Sequence, residues 1–252
     1  MLAGTSDARE LAIKLEENGR KVIATVVTES AAKSLSEAGI KTNIGRLTTE
    51  QMTVFIKENH FQAIVDASHP FAEEASKNAL SASEASGIPY FRYERASQTF
   101  SNPLVTIVQD YEEAAKLAAE KRGAIMLTTG SKTLGIFTKY LLGLENTRVV
   151  ARMLPRLDNM EKCQALGVEQ KDIIAMQGPF SKELNIALIH QYKVKLMITK
   201  ESGKVGSVDE KLEAALTCGI ETIMIARPKI QYENMHSSFE GVIEDLTSKL
   251  TI

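Results

Sequence analysis

Short apolar, β-branched runs alternate with helix-length amphipathic segments along almost the whole chain. Near the start, the segment ARELAIKLEENG places apolar residues at helical spacing and stops at Gly19, and the run KVIATVVT follows it. These runs do not alternate apolar and polar residues, as strands with one solvated face do. Continuous apolar strands separated by helices are typical of a parallel sheet that is covered on both faces. We therefore predict an α/β fold with mainly parallel sheets.

The chain of 252 residues divides into two α/β halves. The second half repeats the scheme, with predicted strands AIMLTTG, TRVVARML, IIAMQG, VKLMITK and TIMIARP and with helices beginning near Ser131, Asp158, Ser181 and Val208. Between the halves, the polar stretch ASQTFSNP contains a proline and interrupts the alternation. We place an N-terminal domain at residues 1–100 and a C-terminal domain at residues 101–252, each long enough to bury a core.

Composition narrows the classes of partner. The formal net charge is −2 and the sequence contains no tryptophan, which argues against duplex binding and against stacking platforms for single strands. No apolar run approaches the length of a membrane span, and the N-terminus lacks a signal-peptide pattern. Cys163 and Cys218 lie in helical patterns and are expected to be free thiols, with no metal bound. We expect a cytoplasmic protein without nucleic acid or membrane partners, and leave its oligomeric state open.

The loop GTSDAR follows what would be the first strand of the N-terminal domain. Only residues 1–3 precede it, so we expect a very short strand and a weakened first sheet. In open parallel sheets, ligands bind beyond the carboxyl ends of the strands, where helix N-termini present free N–H groups. Gly4 permits a tight turn there. Thr5 and Ser6 suit either a phosphate oxygen or a helix cap, and Arg9 lies one turn into the helix.

The next strand ends in VVTES. A site for NAD commonly has an acidic residue at this point, which binds the ribose hydroxyls, whereas Thr28 and Ser30 leave room for a 2′-phosphate. These residues favour NADP(H) as the cofactor. Glu29 argues in the other direction, and a capped helix is the alternative interpretation of both hydroxyl residues.

The stretch DASHPFA follows a further predicted strand. Pro70 suits the first turn of a helix, which would place His69 at the helix entrance and Asp66 at the strand end. The positive end of the helix dipole would then favour the neutral imidazole. A purely structural histidine is the alternative.

Loops of similar composition follow the strands of the second half. TTGSK places Gly130, Ser131 and Lys132 after an apolar strand, where they suit a phosphate or a carboxylate. QGPFS forms a second such turn, and TKESGKVG adds Lys200 beside a glycine-rich segment. Each loop alone is most often a turn with a helix cap. Their recurrence in both halves indicates a site shared by the two domains.

The order of these motifs resembles a known family. The resemblance is carried by GTSDAREL, DASHPFA, FRYER, TTGSK, QGPFS, the asparagine of SKELNIAL, TKESG with the following EK, and IARP. From Gly4 to Pro228, the chain is similar to the precorrin-6A and cobalt-precorrin-6A reductases of cobalamin biosynthesis. The resemblance implies two Rossmann-like domains with a cleft between them. It also implies NADPH-dependent reduction of one ring double bond in precorrin-6A or cobalt-precorrin-6A, a tetrapyrrole-derived macrocycle, to the 6B form.

The resemblance also suggests roles for residues of these motifs. We assign the cofactor to Gly4, Thr5, Ser6, Arg9, Thr28, Ser30, Ser68, Gly130 and Ser131. The acetate and propionate arms of the macrocycle require separated cations and polar groups, and we assign them to Arg92, Arg95, Lys132, Arg152, Ser202, Gly203 and Arg227. Hydride transfer is the chemistry of the cofactor, but a proton must still reach the reduced ring. We assign Lys200 or His69 as proton donor or charge-stabilising group.

The first loop departs from the family pattern. Members usually have a longer hydrophobic strand and two glycines there, whereas Ala3 occupies the first glycine position in this chain. A non-catalytic protein that binds a nucleotide or a tetrapyrrole is therefore the alternative function. A methyltransferase of the same pathway fits less well, because the motifs follow the order found in the reductases.

Overall fold

The computed structural model describes residues 1–97, 101–201 and 209–250. The chain forms two compact units. Unit 1 comprises Met1–Ala96 and Pro228–Ile252, and unit 2 comprises Ser97–Arg227. Strands in both units pair in parallel and are interleaved with helices along the chain, which confirms the predicted α/β fold.

Unit 1 contains α1 to α4, β1 to β4, β11 and α10. Its helices are α1 (Ser6–Glu17), α2 (Glu29–Ser36), α3 (Thr49–Glu58), α4 (Glu73–Ser86) and α10 (Phe239–Leu250). Its strands are β1 (Ile23–Val26), β2 (Lys41–Ile44), β3 (Ile64–Asp66), β4 (Tyr90–Tyr93) and β11 (Met235–His236). The β1 and β2 strands pair with each other, and β4 pairs with both β3 and β11.

The first residues of the chain join these two groups of strands into one sheet. Leu2 forms parallel bridges to Thr25 of β1 and to Asp66 of β3. Leu2 N donates to Val65 O at 2.8 Å, and Ala67 N donates to Leu2 O at 3.0 Å. The expected first strand is thus present as a single bridging residue, in the central position of the sheet.

A cavity of about 750 Å³ lies at the amino ends of β1 and β3. Its lining includes the apolar residues Leu15, Met52 and Ile56. The Met1 ammonium group borders it and donates to Ile23 O at 2.7 Å, and burial lowers the pKa of this ammonium to about 6. Residues 1–3 therefore fill the carboxyl half of the central strand position, and the cavity occupies the amino half.

The last segment of the chain belongs to unit 1. This corrects the boundary drawn from sequence, which placed residues 228–252 in the C-terminal domain. Strand β11 pairs with β4, and Arg92 N donates to Asn234 O at 2.7 Å. Val242 and Leu246 of α10 are buried in the same core as the inner face of α1. Consecutive elements usually pack together, so sequence reasoning assigns a terminal segment to the domain that precedes it.

Unit 2 contains β5 to β10 and α5 to α9. Its strands are β5 (Val105–Val108), β6 (Gly123–Leu127), β7 (Thr147–Met153), β8 (Ile173–Ala175), β9 (Leu196–Lys200) and β10 (Glu221–Ile225). Its helices are α5 (Tyr111–Lys121), α6 (Leu134–Leu141), α7 (Leu157–Ala165), α8 (Lys182–Gln191) and α9 (Glu210–Thr217), with 3-10 turns at Ser131–Thr133 and Gln170–Asp172.

The sheet of unit 2 has the parallel order β5, β10, β9, β6, β7, β8. Its central strands are almost fully buried, as their continuous apolar sequences require. The carboxyl ends of β6, β7, β9 and β10 therefore share one edge, and the loops that follow them begin there. None of the helices in the described residues is both long and apolar enough to cross a membrane.

Candidate active site

The loop after Leu2 in unit 1 has an open main chain. Gly4 has a φ of +138°, a conformation that side chains rarely adopt, and a Cβ placed there would meet no heavy atom within 4 Å. Thr5 caps α1, since its Oγ1 accepts from Ala8 N at 3.1 Å. Ser6, the first residue of α1, is exposed. The cap therefore occupies the side chain of Thr5, while Gly4 and Ser6 leave the helix N-terminus accessible.

Three of the residues assigned to the cofactor lie on α1 and at the start of α2. Arg9 Nε donates to Ser34 O at 3.0 Å and so links α1 to α2. Thr28 caps α2 by accepting from Ala31 N at 3.2 Å. Ser30 is exposed in the first turn of α2, one turn before Ser34. Ser30 thus lies exposed just after the carboxyl end of β1, whereas Arg9 contacts α2 about one turn further along.

A buried polar network lies below the loop that follows β3. Asp66 is fully buried, and its Oδ1 accepts from Ser68 N at 2.9 Å. Its Oδ2 accepts from Ser76 Oγ at 2.7 Å and from Tyr90 Oη at 2.6 Å. The Arg92 Nη1 lies 2.9 Å from Asp66 Oδ1. Burial and the charge of Asp66 both raise the pKa of the Tyr90 hydroxyl, so Tyr90 remains a donor.

Arg92, which the sequence assigns to a substrate arm, is engaged in this network. It is fully buried, and its Nη2 lies 2.7 Å from Glu94 Oε2. Burial opposes its charge, but Asp66 and Glu94 outweigh this cost and raise the pKa of Arg92. Ser68 Oγ accepts from Arg92 Nη1 at 3.3 Å, so the side chain of Ser68 is also engaged. Arg95 is half-buried and forms an ion pair with Asp7.

His69 lies in a turn and not at the entrance of a helix. Helix α4 begins at Glu73, and Ala72 N donates to His69 O at 2.7 Å, which closes a turn over the four residues 69–72. Pro70 occupies that turn and not a helical first turn, so the expected dipole effect on His69 does not apply. The imidazole is exposed, and its Nδ1 accepts from Phe71 N at 3.2 Å. The ring proton of the neutral imidazole is therefore on Nε2.

In unit 2, the turn after β6 resembles the first loop of unit 1. Gly130 has a φ of +82°, and a Cβ there would meet no heavy atom within 4 Å. Ser131 begins the 3-10 turn that leads into α6. Lys132 is exposed. These three residues lie at the carboxyl edge of the unit 2 sheet, as the motif predicts.

Lys200 ends β9 at the same edge. Burial lowers its pKa, and the charges of Lys132 and Lys211 lower it further. The Lys200 Nζ lies 5.6 Å from the ring centroid of Tyr111. Lys132 and Lys211 therefore both act on the charge of Lys200, and Lys211 is itself paired with Asp209 at 3.1 Å. A negatively charged ligand would reduce the remaining repulsion.

Arg152 lies one residue before the end of β7. It is only 7% exposed, and burial lowers its pKa to about 10 while Asp209 acts to raise it. Its Nη1 donates to Asn185 Oδ1 at 2.7 Å, and its guanidinium lies 4.2 Å from the ring centroid of Phe180. Arg152 thus remains a cation at neutral pH in a largely enclosed position.

Arg227 has a carboxylate close by. Its Nε lies 3.3 Å from Glu201 Oε1, and both side chains are largely buried. A substrate carboxylate bound at Arg227 would therefore also lie near the negative charge of Glu201. Ser202 and Gly203, also assigned to the substrate, lie outside the described residues.

Comparison with known proteins places the chain in a family. A family model described as "Precorrin-6x reductase CbiJ/CobK" matches residues 1–247. The chain belongs to the precorrin-6x reductase family. It is 61% identical to the cobalt-precorrin-6A reductase of Priestia megaterium over 249 residues, which cover 99% of this chain and 98% of that protein.

More distant members of the precorrin-6x reductase family match most of the chain as well. The cobalt-precorrin-6A reductase of Salmonella typhimurium is 35% identical over 230 residues, or 90% of this chain and 86% of that protein. The precorrin-6A reductase of a Sinorhizobium species is 26% identical over 231 residues, which cover 91% of this chain and 84% of that protein. A solved structure of CobK precorrin-6A reductase has the same fold, with a TM-score of 0.81 at 23% identity over 98% of this chain and 95% of that one.

Sequence reasoning did not identify the partners that hold the charged residues of this reductase-family chain. Tyr90, Glu94 and Ser76 contact the Asp66 and Arg92 pair, and Phe180 contacts Arg152. The only sequence signal for these contacts is an arginine inside a buried strand, since a buried cation requires partners.

Proposed function

We propose that the chain uses NADPH to reduce one ring double bond of cobalt-precorrin-6A, giving the 6B form. The observation that carries this proposal is the 61% identity to a cobalt-precorrin-6A reductase over 99% of the chain. The relatives named for the cobalt form are 29–61% identical to this chain, and those named for precorrin-6A are 26% identical. This difference favours the cobalt-containing substrate over the metal-free one.

Unit 1 suits the cofactor. The Gly4 turn leaves room for a phosphate against the N-terminus of α1, with the exposed Ser6 hydroxyl beside it. Arg9 and Ser30 would hold a 2′-phosphate near the end of β1, and Thr28 would position the start of α2. NADPH, when bound, supplies a hydride. The chain's part is to hold the nicotinamide and the macrocycle in line and to exclude water.

The cations of unit 2 suit a polycarboxylate. Lys132, Lys200 and Arg152 follow or end neighbouring strands of one sheet, and each ligand carboxylate bound there would offset repulsion or burial. Gly130 and Ser131 contribute an amide-rich turn at the same edge. These features support the assignment of the acetate and propionate arms to unit 2.

The second hydrogen reaches the reduced ring as a proton, and we assign its source to Lys200. Its lowered pKa makes the ammonium a better acid than an exposed lysine at neutral pH. His69, whose Nε2 is the ring nitrogen that carries the proton in the neutral form, is the second candidate. A pH profile of kcat for Lys200→Met and His69→Gln distinguishes the two, because only loss of the true donor removes the alkaline limb.

The decisive experiment combines the chain, NADPH and cobalt-precorrin-6A under exclusion of oxygen, and follows the loss of absorbance of the reduced nicotinamide. Stoichiometric oxidation supports the reductase, and binding without oxidation supports the non-catalytic alternative. Precorrin-6A serves as the second substrate, and we expect a lower kcat/KM for it.

Arg9→Met tests the coenzyme site. Loss of a hydrogen bond to a charged group costs about 1.5–3 kcal/mol, so the KM for NADPH should rise roughly 10- to 150-fold while the KM for NADH changes little. Lys14→Met, on the same helix, is the matched control. An equal loss with both coenzymes would contradict a role in binding the 2′-phosphate.

A further inference from the structure

Arg152 of unit 2 is a buried cation that lacks a close counter-ion. Among the described residues, no carboxylate oxygen lies within 4 Å of its guanidinium, although Asp209 is near enough to act on its charge. A buried charge without a paired partner is costly, and such groups are retained where they serve a ligand. The fixed fork of an arginine matches a carboxylate better than any other side chain does.

Asn185 fixes the direction of this guanidinium. The Asn185 Nδ2 donates to Ser181 O at 2.8 Å and to Phe180 O at 3.3 Å. Both amide hydrogens are therefore directed at main-chain carbonyls, which leaves Oδ1 to accept from Arg152 Nη1 at 2.7 Å. Asn185 is itself only 3% exposed, so water does not compete for these bonds.

Phe180 covers one face of the same guanidinium at 4.2 Å, a distance at which a ring stabilises a cation. One face of the guanidinium is thus covered and one N–H is held, and among the described residues the guanidinium makes no other hydrogen bond. Arg152, Asn185 and Phe180, which we call the arginine clamp, are thus arranged to leave one edge of the fork for a ligand.

We propose that the arginine clamp binds one carboxylate arm of the macrocyclic substrate, with Asn185 and Phe180 as its positioning residues. This inference rests on the proposed function for its ligand. A cofactor phosphate is the other anion that the fork could accept. The carboxylate is favoured because Arg152 lies in unit 2, in the strand next to β6 and at the sheet edge that also carries Lys132 and Lys200, whereas the proposed phosphate turn at Gly4 lies in unit 1.

Two principal variants and one milder variant test the clamp. Arg152→Lys keeps the charge but loses the fork, and Asn185→Asp supplies an internal carboxylate that neutralises Arg152. Each should raise the KM for the macrocycle about 10- to 100-fold, with kcat within about threefold and the KM for NADPH within about twofold. Phe180→Leu should give a smaller rise of about 2- to 10-fold. A clamp that only maintained the fold would instead lower kcat and stability, without a selective rise in the KM for the macrocycle.

Arg148→Lys is the matched control. Arg148 lies at the opposite end of the same strand, where it pairs with Asp172 and donates to Tyr192 O. The KM of the Arg148→Lys variant for the macrocycle should stay within twofold of the parent value. A KM for Arg152→Lys that matches this control would overturn the proposal, and a selective rise in the KM for NADPH would reassign the clamp to a cofactor phosphate.

Binding of uroporphyrin, a tetrapyrrole with acetate and propionate arms, gives a readout without turnover. We expect the porphyrin acid to bind the parent protein and its methyl ester not to, and both clamp variants to weaken the acid at least tenfold. Equal affinity for acid and ester would also overturn the clamp. If the parent protein oxidises no NADPH but binds the acid through Arg152, the proposed function fails and the clamp stands.

Discussion

Replacement of Asp66 by asparagine removes one charge and no volume from the buried network of unit 1. The carboxylate accepts from Ser68 N, Ser76 Oγ and Tyr90 Oη and pairs with Arg92. In Asp66→Asn, one side of the amide can still accept from Ser68 and Arg92. The amide nitrogen on the other side becomes a donor, so the hydroxyls of Ser76 and Tyr90 must turn to accept from it.

The expected cost follows from these contacts. Two hydrogen bonds to a charge, each contributing about 1.5–3 kcal/mol, become neutral bonds of about 0.5–1.5 kcal/mol. The buried Arg92 also loses one of its two carboxylate partners, but it keeps Glu94 at 2.7 Å. Breaking a buried ion pair costs about 3–5 kcal/mol when no second partner remains, so the loss here should be smaller. With Glu94 retained, we expect the free energy of unfolding to fall by about 3–5 kcal/mol in total.

Hydrogen exchange measured by mass spectrometry reports this loss in unit 1 itself. Amides of β3 and β4 should lose protection by roughly 150- to 5,000-fold, since each factor of ten corresponds to about 1.4 kcal/mol. Asp158→Asn, which breaks an exposed ion pair with Arg156, is the matched control and should leave the protection of these amides unchanged. A loss below 1 kcal/mol for Asp66→Asn would refute the view that this network holds β3 to β4.

Further predictions concern the start of unit 1 and the lysines of unit 2. Four apolar residues added before Met1 should continue the central strand into the cavity and raise the free energy of unfolding by about 1–3 kcal/mol, because the burial of their side chains and the new ladder hydrogen bonds outweigh the entropic cost of ordering them. A Gly-Ser extension of equal length is the control. An unchanged urea midpoint for the apolar extension would contradict the reasoning. Without an extension, the lowered pKa of the Met1 ammonium means that the unfolded state binds more protons than the folded state between pH 6 and 8. The free energy of unfolding should therefore increase with pH across that window. Acetylation of the N-terminus should remove this slope, as measured by urea titrations at several pH values. Lys132→Met should move the alkaline limb of the pH profile of kcat to higher pH, because it removes a positive charge that lowers the pKa of Lys200. An unshifted alkaline limb would exclude Lys200 as the proton donor.

The sequence predicted the central strands because burial on both faces requires continuous apolar runs. Strands β6, β7 and β9 appear where the pattern placed them. The strands it did not predict, β2, β5 and β11, all lie at sheet edges. Edge strands are partly exposed and tolerate polar residues, as Lys41 and Asn43 of β2 illustrate. Strand β5 does carry an apolar run, VTIV, but its central residues are exposed.

The backbone conformation of candidate residues was predictable where it depends on position along the chain. Gly4 and Gly130 follow a strand and precede a helix, and both adopt the positive φ that such turns use. The ion pairs of Arg92 were not predictable, because a sequence shows that an arginine lies in a strand but not which residues it faces. The carboxylates that neutralise it come from β3 and from the residue after β4.

Local order and composition thus determined the α/β architecture, the loops that suit a nucleotide, and the resemblance to the precorrin-6x reductases. Tertiary structure alone decided that residues 228–252 complete unit 1, that Asp66 neutralises Arg92, and that Asn185 holds Arg152. The physical reason is separation along the chain: helix and strand preferences act over a few residues, whereas sheet completion and charge neutralisation join groups that only the folded backbone brings together.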